Sequence, residues 1–282
     1  MTRNPYIDAT RVRAALRALE LRPTRAMGQN FLIDDDVLEA IVAAAEIEPD
    51  TRVVEVGPGL GVLTHELVQR AAHVTAVELD ARLAARLRAE FAHEPRLSIV
   101  EQDILRVPPA TLAAGKPYRV VANLPYAITS SALRHFLDAA PRPDMVVVLV
   151  QWEVALRIAA APGDLSVLAH AMQIYTVPEV VRRVPAAAFM PTPDVDSAIL
   201  RLRVRPEPAV ADPTRVMRVL KAGFLHPRKQ LGNALGAGLA AAGMGHLREH
   251  ALSALAAAGI APERRAETVT LAEWEQVAQA LG

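Results

Sequence analysis

One stretch limits what this chain can fold into more than any other: Thr51 to Glu78, TRVVEVGPGLGVLTHELVQRAAHVTAVE. It opens with a short apolar run, Val53 to Val56, too brief for a helix and β-branched enough for a buried strand, with Glu55 inside it. Gly57, Gly59 and Gly61 follow at every second position. Glycine lets a backbone turn sharply and lets a ligand approach where a Cβ would collide. A helical segment from Leu63 to Arg70 comes next, then a second buried strand from Val74 to Val77, closed by Glu78. An acid about twenty positions beyond the first glycine is where a nucleotide ribose finds its acceptor in a doubly wound fold. A glycine turn that binds nothing is the alternative. The spacing is G-x-G-x-G, not the dinucleotide G-x-G-x-x-G, and it suits a nucleoside-bearing ligand without a pyrophosphate. That favours S-adenosylmethionine over NAD.

Around this unit strand and helix alternate. Strands are expected at 53–56, 74–77, 97–100, 119–122 and 145–150, and helices near 62–70, 81–92 and 131–139. Such alternation implies a parallel sheet covered on both faces. Two further strands, at 173–183 and 197–204, follow each other with no helix between and predict an antiparallel edge. Ahead of the glycine stretch, residues 9–21 read as an amphipathic helix with Val12, Leu16 and Leu19 on one side. Residues 23–32 read as a polar loop, and a helix at 37–45 is capped by Asp34 or Asp35. The proline-rich RPEPAVADP at 205–213 predicts a linker, and 214–282 carries only helical patterning. The fold class is therefore α/β, a Rossmann-like domain over 1–205 with a small all-α domain over 206–282.

Composition bounds the setting. At 282 residues the chain has room for one large domain or for a large and a small one. No apolar run reaches the roughly 18 residues that a membrane span needs. The N-terminus lacks the apolar core of a signal peptide, and the chain has no cysteine. These features lead to the expectation of a cytoplasmic protein without disulfides or thiolate metal sites. The net charge of zero hides an uneven distribution. Residues 1–30 carry 6 basic and 2 acidic side chains, residues 31–110 carry 7 and 15, and residues 182–230 carry 10 and 4. An acidic nucleotide-site region flanked by two basic segments is compatible with a polyanion held across one face, and equally with ordinary solvated charge.

In an open parallel sheet, ligands sit beyond the carboxyl ends of the strands. Gly57, Glu78, Asp103 and Asn123 stand at four such ends in succession, so all four can line one crevice. The tetrad Asn123-Leu124-Pro125-Tyr126 has a chemical reading. An exocyclic adenine amine is a poor nucleophile because its lone pair is delocalised into the ring. An amide oxygen from Asn123 and a backbone carbonyl from Leu124 can accept both amine protons and favour a pyramidal nitrogen. Pro125 stiffens the turn, and Tyr126 offers a ring to stack on the base. With an activated methyl sulfonium, catalysis is then positioning and electrostatics. A polar proline turn after a strand is the plainer reading of the same residues.

Six fragments occur in order: GQNFL at 28–32, VEVGPGLG at 54–61, VELD at 77–80, QDIL at 102–105, NLPY at 123–126 and FMPTPDVDSAILRL at 189–202. Together they resemble the ribosomal RNA adenine N6,N6-dimethyltransferase family that acts on small-subunit RNA. HPRKQLGNAL at 226–235 and RAETVTLAEW at 265–274 are similar to that family's helical C-terminal domain. The resemblance spans almost the whole chain. It implies a class I S-adenosylmethionine-dependent methyltransferase that dimethylates two adjacent adenines of 16S ribosomal RNA during ribosome biogenesis, acting as a monomer with no metal. It also implies that Gln29, Asn30, Leu32, Gly57, Gly59, Glu78, Asp103, Ile104 and Asn123 form the cofactor site. Glu78 would accept from the ribose hydroxyls and Asp103 from the cofactor's adenine amine. Asn123, Leu124, Pro125 and Tyr126 would hold the target adenine, with Phe189 stacked opposite Tyr126; a core phenylalanine is the competing reading of Phe189.

The chain departs from the family pattern in three places. Ala127 follows NLPY where asparagine is frequent, Trp152 stands where lysine is common, and APGDLSV lacks the tyrosine-glycine-arginine that precedes LSV in many relatives. The last two departures bear on RNA contact more than on methyl transfer. Two other activities fit less well. A large-subunit adenine methyltransferase conferring macrolide resistance shares the core motifs but not the C-terminal fragments, and a non-catalytic RNA-binding assembly or transcription factor has no need of the Asn123 tetrad. The H-x-x-E-H pattern from His246 to His250 matches some zinc peptidases, yet a zinc site needs a third ligand and an open cavity, and we set it aside.

Overall fold

Short runs rich in valine, isoleucine and leucine form the parallel part of a seven-stranded sheet, buried at its centre and only partly covered at the edge strand Leu97–Glu101. The computed structural model describes residues 4, 6–21, 30–243 and 248–282. Nine strands occur in it: β1 (Phe31–Leu32), β2 (Arg52–Val56), β3 (His73–Glu78), β4 (Leu97–Glu101), β5 (Arg119–Asn123), β6 (Met145–Gln151), β7 (Thr176–Val184), β8 (Phe189–Met190) and β9 (Ser197–Val204). The main sheet has the order β4-β3-β2-β5-β6-β9-β7. β2 through β6 pair in parallel, and β9 runs antiparallel to β6, with Asn123 level with Leu149 and Gln151 level with Ser197. All seven expected strands are therefore present, the close-spaced pair at the edge included. Full burial on both faces explains why β6 reads MVVVLVQ rather than alternating.

Helices cross between the parallel strands, among them Val62–Arg70, Ala81–Glu90 and Thr129–Asp138. The capping alternative resolves to Asp34, whose Oδ1 accepts from Val37 N–H at 3.0 Å and starts the helix Asp35–Ala44. Several boundaries differ from expectation. The first helix ends at Ala18, because Glu20 turns into the left-handed region at φ 51°. The strand expected from 173 begins at Thr176, since Val167–Gln173 is a helix capped by Ser166. Phe31 and Leu32, expected in a loop, form β1 and pair antiparallel with β8, a partner more than 150 residues away that no local pattern reveals.

The chain divides into two compact units, Met1–Ala155 with Pro178–Val204, and Leu156–Val177 with Arg205–Gly282. Residues 156–177 thus pack with the helical unit although they precede the proline-rich linker in sequence. That unit contains the helices Pro213–Gly223, Leu231–Ala241, Arg248–Ala257 and Leu271–Ala280. Trp274 is fully buried at its centre with Leu220, Leu235 and Leu255. Thr270 and Glu273 form a capping box at the start of the last helix, and Arg264 pairs with Glu273, holding that carboxyl down at about 2. Among the described residues no helix is long and apolar enough to cross a membrane.

Candidate active site

The chain moves outward from β2 to β3 and β4, then returns to lay β5 and β6 on the other flank of β2. At such a reversal the loops at the strand ends part, leaving a crevice beyond their carboxyl ends. Here it is a cleft of about 630 Å³, a size usual for small-molecule sites.

The glycine turn forms its base. Gly57 and Gly61 have φ of 65° and 87°, in the left-handed region that a side chain disfavours. At Gly61 space is short as well: a Cβ would lie 2.9 Å from Leu87 Cδ2 and 3.2 Å from Phe91 Cε2. The bare backbone lets the helix Val62–Arg70 start close against its neighbour. Glu78, the last residue of β3, ties the turn down. Its Oε2 accepts from Gly59 N–H at 3.0 Å and its Oε1 from Asp80 N–H at 2.9 Å. Burial raises its pKa, opposed by these backbone donors. Each carboxylate oxygen keeps lone-pair capacity for a further donor in the cleft.

Asp103 begins the short 3-10 turn Ile104–Arg106 and accepts from Leu105 N–H at 3.0 Å, while Ile104 is buried beside it. Asn123 closes β5. Its Nδ2 donates to the carbonyl of Asn30 at 2.8 Å. A carbonyl can only accept, so this contact fixes which end of the amide faces Asn30 and leaves Oδ1 as an acceptor. Leu124 donates its N–H to Leu149 O at 3.3 Å, and its side chain is buried. Pro125 leads into the 3-10 turn Tyr126–Ile128. The Tyr126 hydroxyl lies 2.7 Å from Ser197 Oγ, and burial raises its pKa, so the phenol stays protonated.

Asn30, Leu32, Gly57, Glu78, Asp103 and Asn123 all line the cleft, as do Gly59, Ile104, Pro125 and Ala127. Gln29 lies outside the described residues, as does His246 of the H-x-x-E-H pattern. Three expected substrate-side residues do not line the cleft: Leu124, Tyr126 and Phe189. Phe189 is only 2% exposed, paired through β8 with Leu32 and packed in the core, which is the competing reading given above.

Sequence reasoning missed two groups that shape the site. Phe31 packs under the turn, where a Cβ on Gly59 would lie 3.1 Å from its ring. Glu55 was visible in the strand but was given no role. It is 1% exposed, lines the cleft, and accepts from Thr64 Oγ1 at 2.6 Å. Burial pushes its carboxyl up to about 8, against the Thr64 hydrogen bond and with the charge of Glu78 adding to the rise. The site thus presents carboxylate and amide acceptors around a glycine turn. That chemistry suits hydroxyl and amine donors, and its negative potential opposes a pyrophosphate.

Residues 22–281 match the family described as ribosomal RNA adenine dimethylase. The Ribosomal RNA small subunit methyltransferase A of Dehalococcoides mccartyi (strain ATCC BAA-2266 / KCTC 15142 / 195) is 44% identical over 261 residues, 91% of this chain and 88% of that one. The protein of the same name from Moorella thermoacetica is 40% identical over 284 residues, 96% of each chain. Among solved structures, the 23S rRNA methyltransferase ErmE superposes with a TM-score of 0.71 at 31% identity, covering 89% of this chain and 99% of that one. A dimethyladenosine transferase from Plasmodium falciparum shares the fold, with a TM-score of 0.75 at 23% identity over 88% of this chain and 95% of that one.

Proposed function

The chain belongs to the ribosomal RNA adenine dimethylase family, and from that premise we propose that it dimethylates N6 of two adjacent adenines in 16S RNA of the small ribosomal subunit. It is an rRNA adenine dimethyltransferase with a Rossmann-like class I fold, and its methyl donor is S-adenosylmethionine. The choice of subunit rests on the relatives. Those 40–44% identical over nine-tenths or more of this chain are named for the small subunit, whereas the 23S enzyme ErmE is 31% identical. Action as a monomer, in the cytoplasm, during ribosome biogenesis belongs to the same proposal.

The residues of the cleft fit the cofactor. Glu78 would hold the ribose hydroxyls, Asp103 the adenine amine, and Ile104 and Leu32 the apolar faces. Asn30, Gly57 and Gly59 complete the cradle, with Gln29 beside them in sequence. When bound, the cofactor supplies an electrophilic methyl on a sulfonium. The chain's own task is then to hold the target amine. Asn123 Oδ1 and the Leu124 carbonyl would accept its two protons, Pro125 fixes the turn, and Tyr126 would stack on the base. Phe189 would stack on the opposite face only if its ring, 2% exposed in this structure, became uncovered.

The single observation that carries this reading is the Asn123–Asn30 hydrogen bond, which leaves an amide oxygen as an acceptor at the strand end beside the glycine turn. The test is methyl incorporation from labelled cofactor into undermethylated small subunits, followed by mapping of the modified bases. Two adjacent dimethyladenosines in 16S RNA are expected. Methylation of 23S RNA alone, or none with folded protein, would overturn the proposal.

A further inference from the structure

We propose that Trp152 is a stacking platform for an unpaired nucleobase that flanks the target adenine. The inference deepens the function proposed above and rests on it.

Trp152 follows directly on β6, three residues beyond Leu149, which is level with Asn123. It therefore stands at the same carboxyl edge of the sheet as the Asn123 turn. Its backbone N–H donates to the carbonyl of Asp196 at 3.0 Å. The next residue, Ser197, is the one whose hydroxyl meets Tyr126 at 2.7 Å. One dipeptide, Asp196-Ser197, thus fixes both the tyrosine of the tetrad and the tryptophan beside it.

The indole is also held from one face. Asp196 Oδ2 accepts from Arg183 Nε at 2.9 Å and lies 2.8 Å from Arg183 Nη2, while Oδ1 accepts from Ala186 N–H at 3.0 Å. So fixed, the Arg183 guanidinium lies 4.9 Å from the centroid of the Trp152 ring, within cation–π range. An indole placed for packing alone would be expected to resemble Trp274, which is fully buried. Trp152 is instead partly exposed, on a helix start whose position is set by hydrogen bonds. The Arg183 charge is balanced by Asp196, so phosphate binding is not what this cluster offers. A rigid, partly open aromatic surface is what it offers, and single-stranded RNA is recognised by stacking on such surfaces. Ordering a large ring costs little conformational entropy when its backbone and one face are already fixed.

The chain has two tryptophans, and Trp274 lies in the core of the other unit, so intrinsic fluorescence can report on Trp152. Titration of wild type with single-stranded oligoadenylate should quench emission, duplex RNA of equal length should quench far less, and Trp152→Phe should remove the response. With undermethylated small subunits as substrate, Trp152→Ala should raise KM on the order of tenfold, the usual worth of one base–aromatic stack, with a much smaller change in kcat. Trp152→Phe should restore most of the affinity, and Trp152→Leu, which keeps apolar bulk without a flat ring, should not. A wild type that methylates small subunits while its emission ignores single-stranded RNA, or a Trp152→Leu variant with wild-type KM, overturns this inference alone. A wild type that leaves small subunits unmethylated overturns the underlying reading instead.

Discussion

Glu55 and Glu78 line one cleft, and their environments separate them. Glu78 is met by two backbone N–H donors, whereas Glu55 has one hydroxyl and is enclosed. A carboxyl raised from 4.5 to about 8 in the folded state binds its proton more tightly there than in the unfolded chain. Its contribution to stability is therefore fully present below about pH 4.5 and is lost as pH rises through about 8. Glu55→Gln removes the titration while keeping an oxygen for Thr64. The difference in melting temperature between this variant and wild type should be small at pH 5 and widen in the variant's favour by pH 9; a gap independent of pH would show that Glu55 ionises normally. Asn123 is the other residue on which the site turns. If its Oδ1 grips the target amine, Asn123→Ala should slow single-turnover methyl transfer on the order of a hundredfold at saturating cofactor and RNA, as when a preorganised transition-state partner is lost. RNA binding should persist, because most of its free energy comes from phosphates elsewhere; a near-wild-type rate would refute the assigned role. The spacing of Gly57, Glu78, Asp103 and Asn123 was legible because each stands at a strand end, a position that apolar runs betray. The hydrogen bond that orients the Asn123 amide was not legible, since its partner is 93 positions away.

Elements were legible in proportion to their length and pattern. The strands of five to nine residues stand out as β-branched runs, and the helices over 62–70 and 81–90 as amphipathic stretches, the second of them capped by Asp80. Pro109–Ala113, Trp152–Ile158 and Val167–Gln173 are helices of only five to seven residues, too short for a periodic signal to rise above noise. β1 and β8 are two residues each and owe their existence to each other. The junction of β2 with the helix Val62–Arg70 is the element-scale feature most open to test. Gly61→Ala would place a Cβ against Leu87 and Phe91 at a backbone conformation that costs an L-residue about 1–2 kcal/mol even in open space. The variant should unfold at lower denaturant with an unchanged slope, by at least that free energy, and should bind cofactor more weakly because the turn Glu78 anchors is displaced. Unchanged stability would show that the helix start can shift to accommodate the methyl group.

At the scale of the whole molecule, the sequence disclosed the order of α/β and helical parts but not their partition. Residues 156–177 pack with the helical unit because they supply it with buried groups, Ile174 in its core and His170, whose ring nitrogens meet Ser166 O and Val269 O. No linear pattern announces such a return. Charge, by contrast, is additive along a chain and was read directly: the region around the cleft is acidic, and the basic excess lies before and after it. Arg3, Arg22 and Arg25 of the first basic segment lie outside the described residues. Arg228 and Lys229 of the later one are exposed, next to the start of the helix Leu231–Ala241. An acidic cleft repels RNA phosphates, so if it holds the cofactor as proposed, attraction for the nucleic acid falls to basic side chains outside it, and these two cations are candidates for that work. Neutralising a phosphate releases condensed counterions, and on single strands each contact adds roughly 0.7 to the slope of log affinity against log salt. Replacing both Arg228 and Lys229 by alanine should therefore weaken binding to small subunits at low salt and flatten that slope by about one to one and a half, leaving kcat at saturation close to wild type. The measurement is a set of binding isotherms over a range of potassium chloride concentrations. A double variant whose affinity and slope match wild type would mark this pair as solvated surface and move the phosphate contacts to another basic segment.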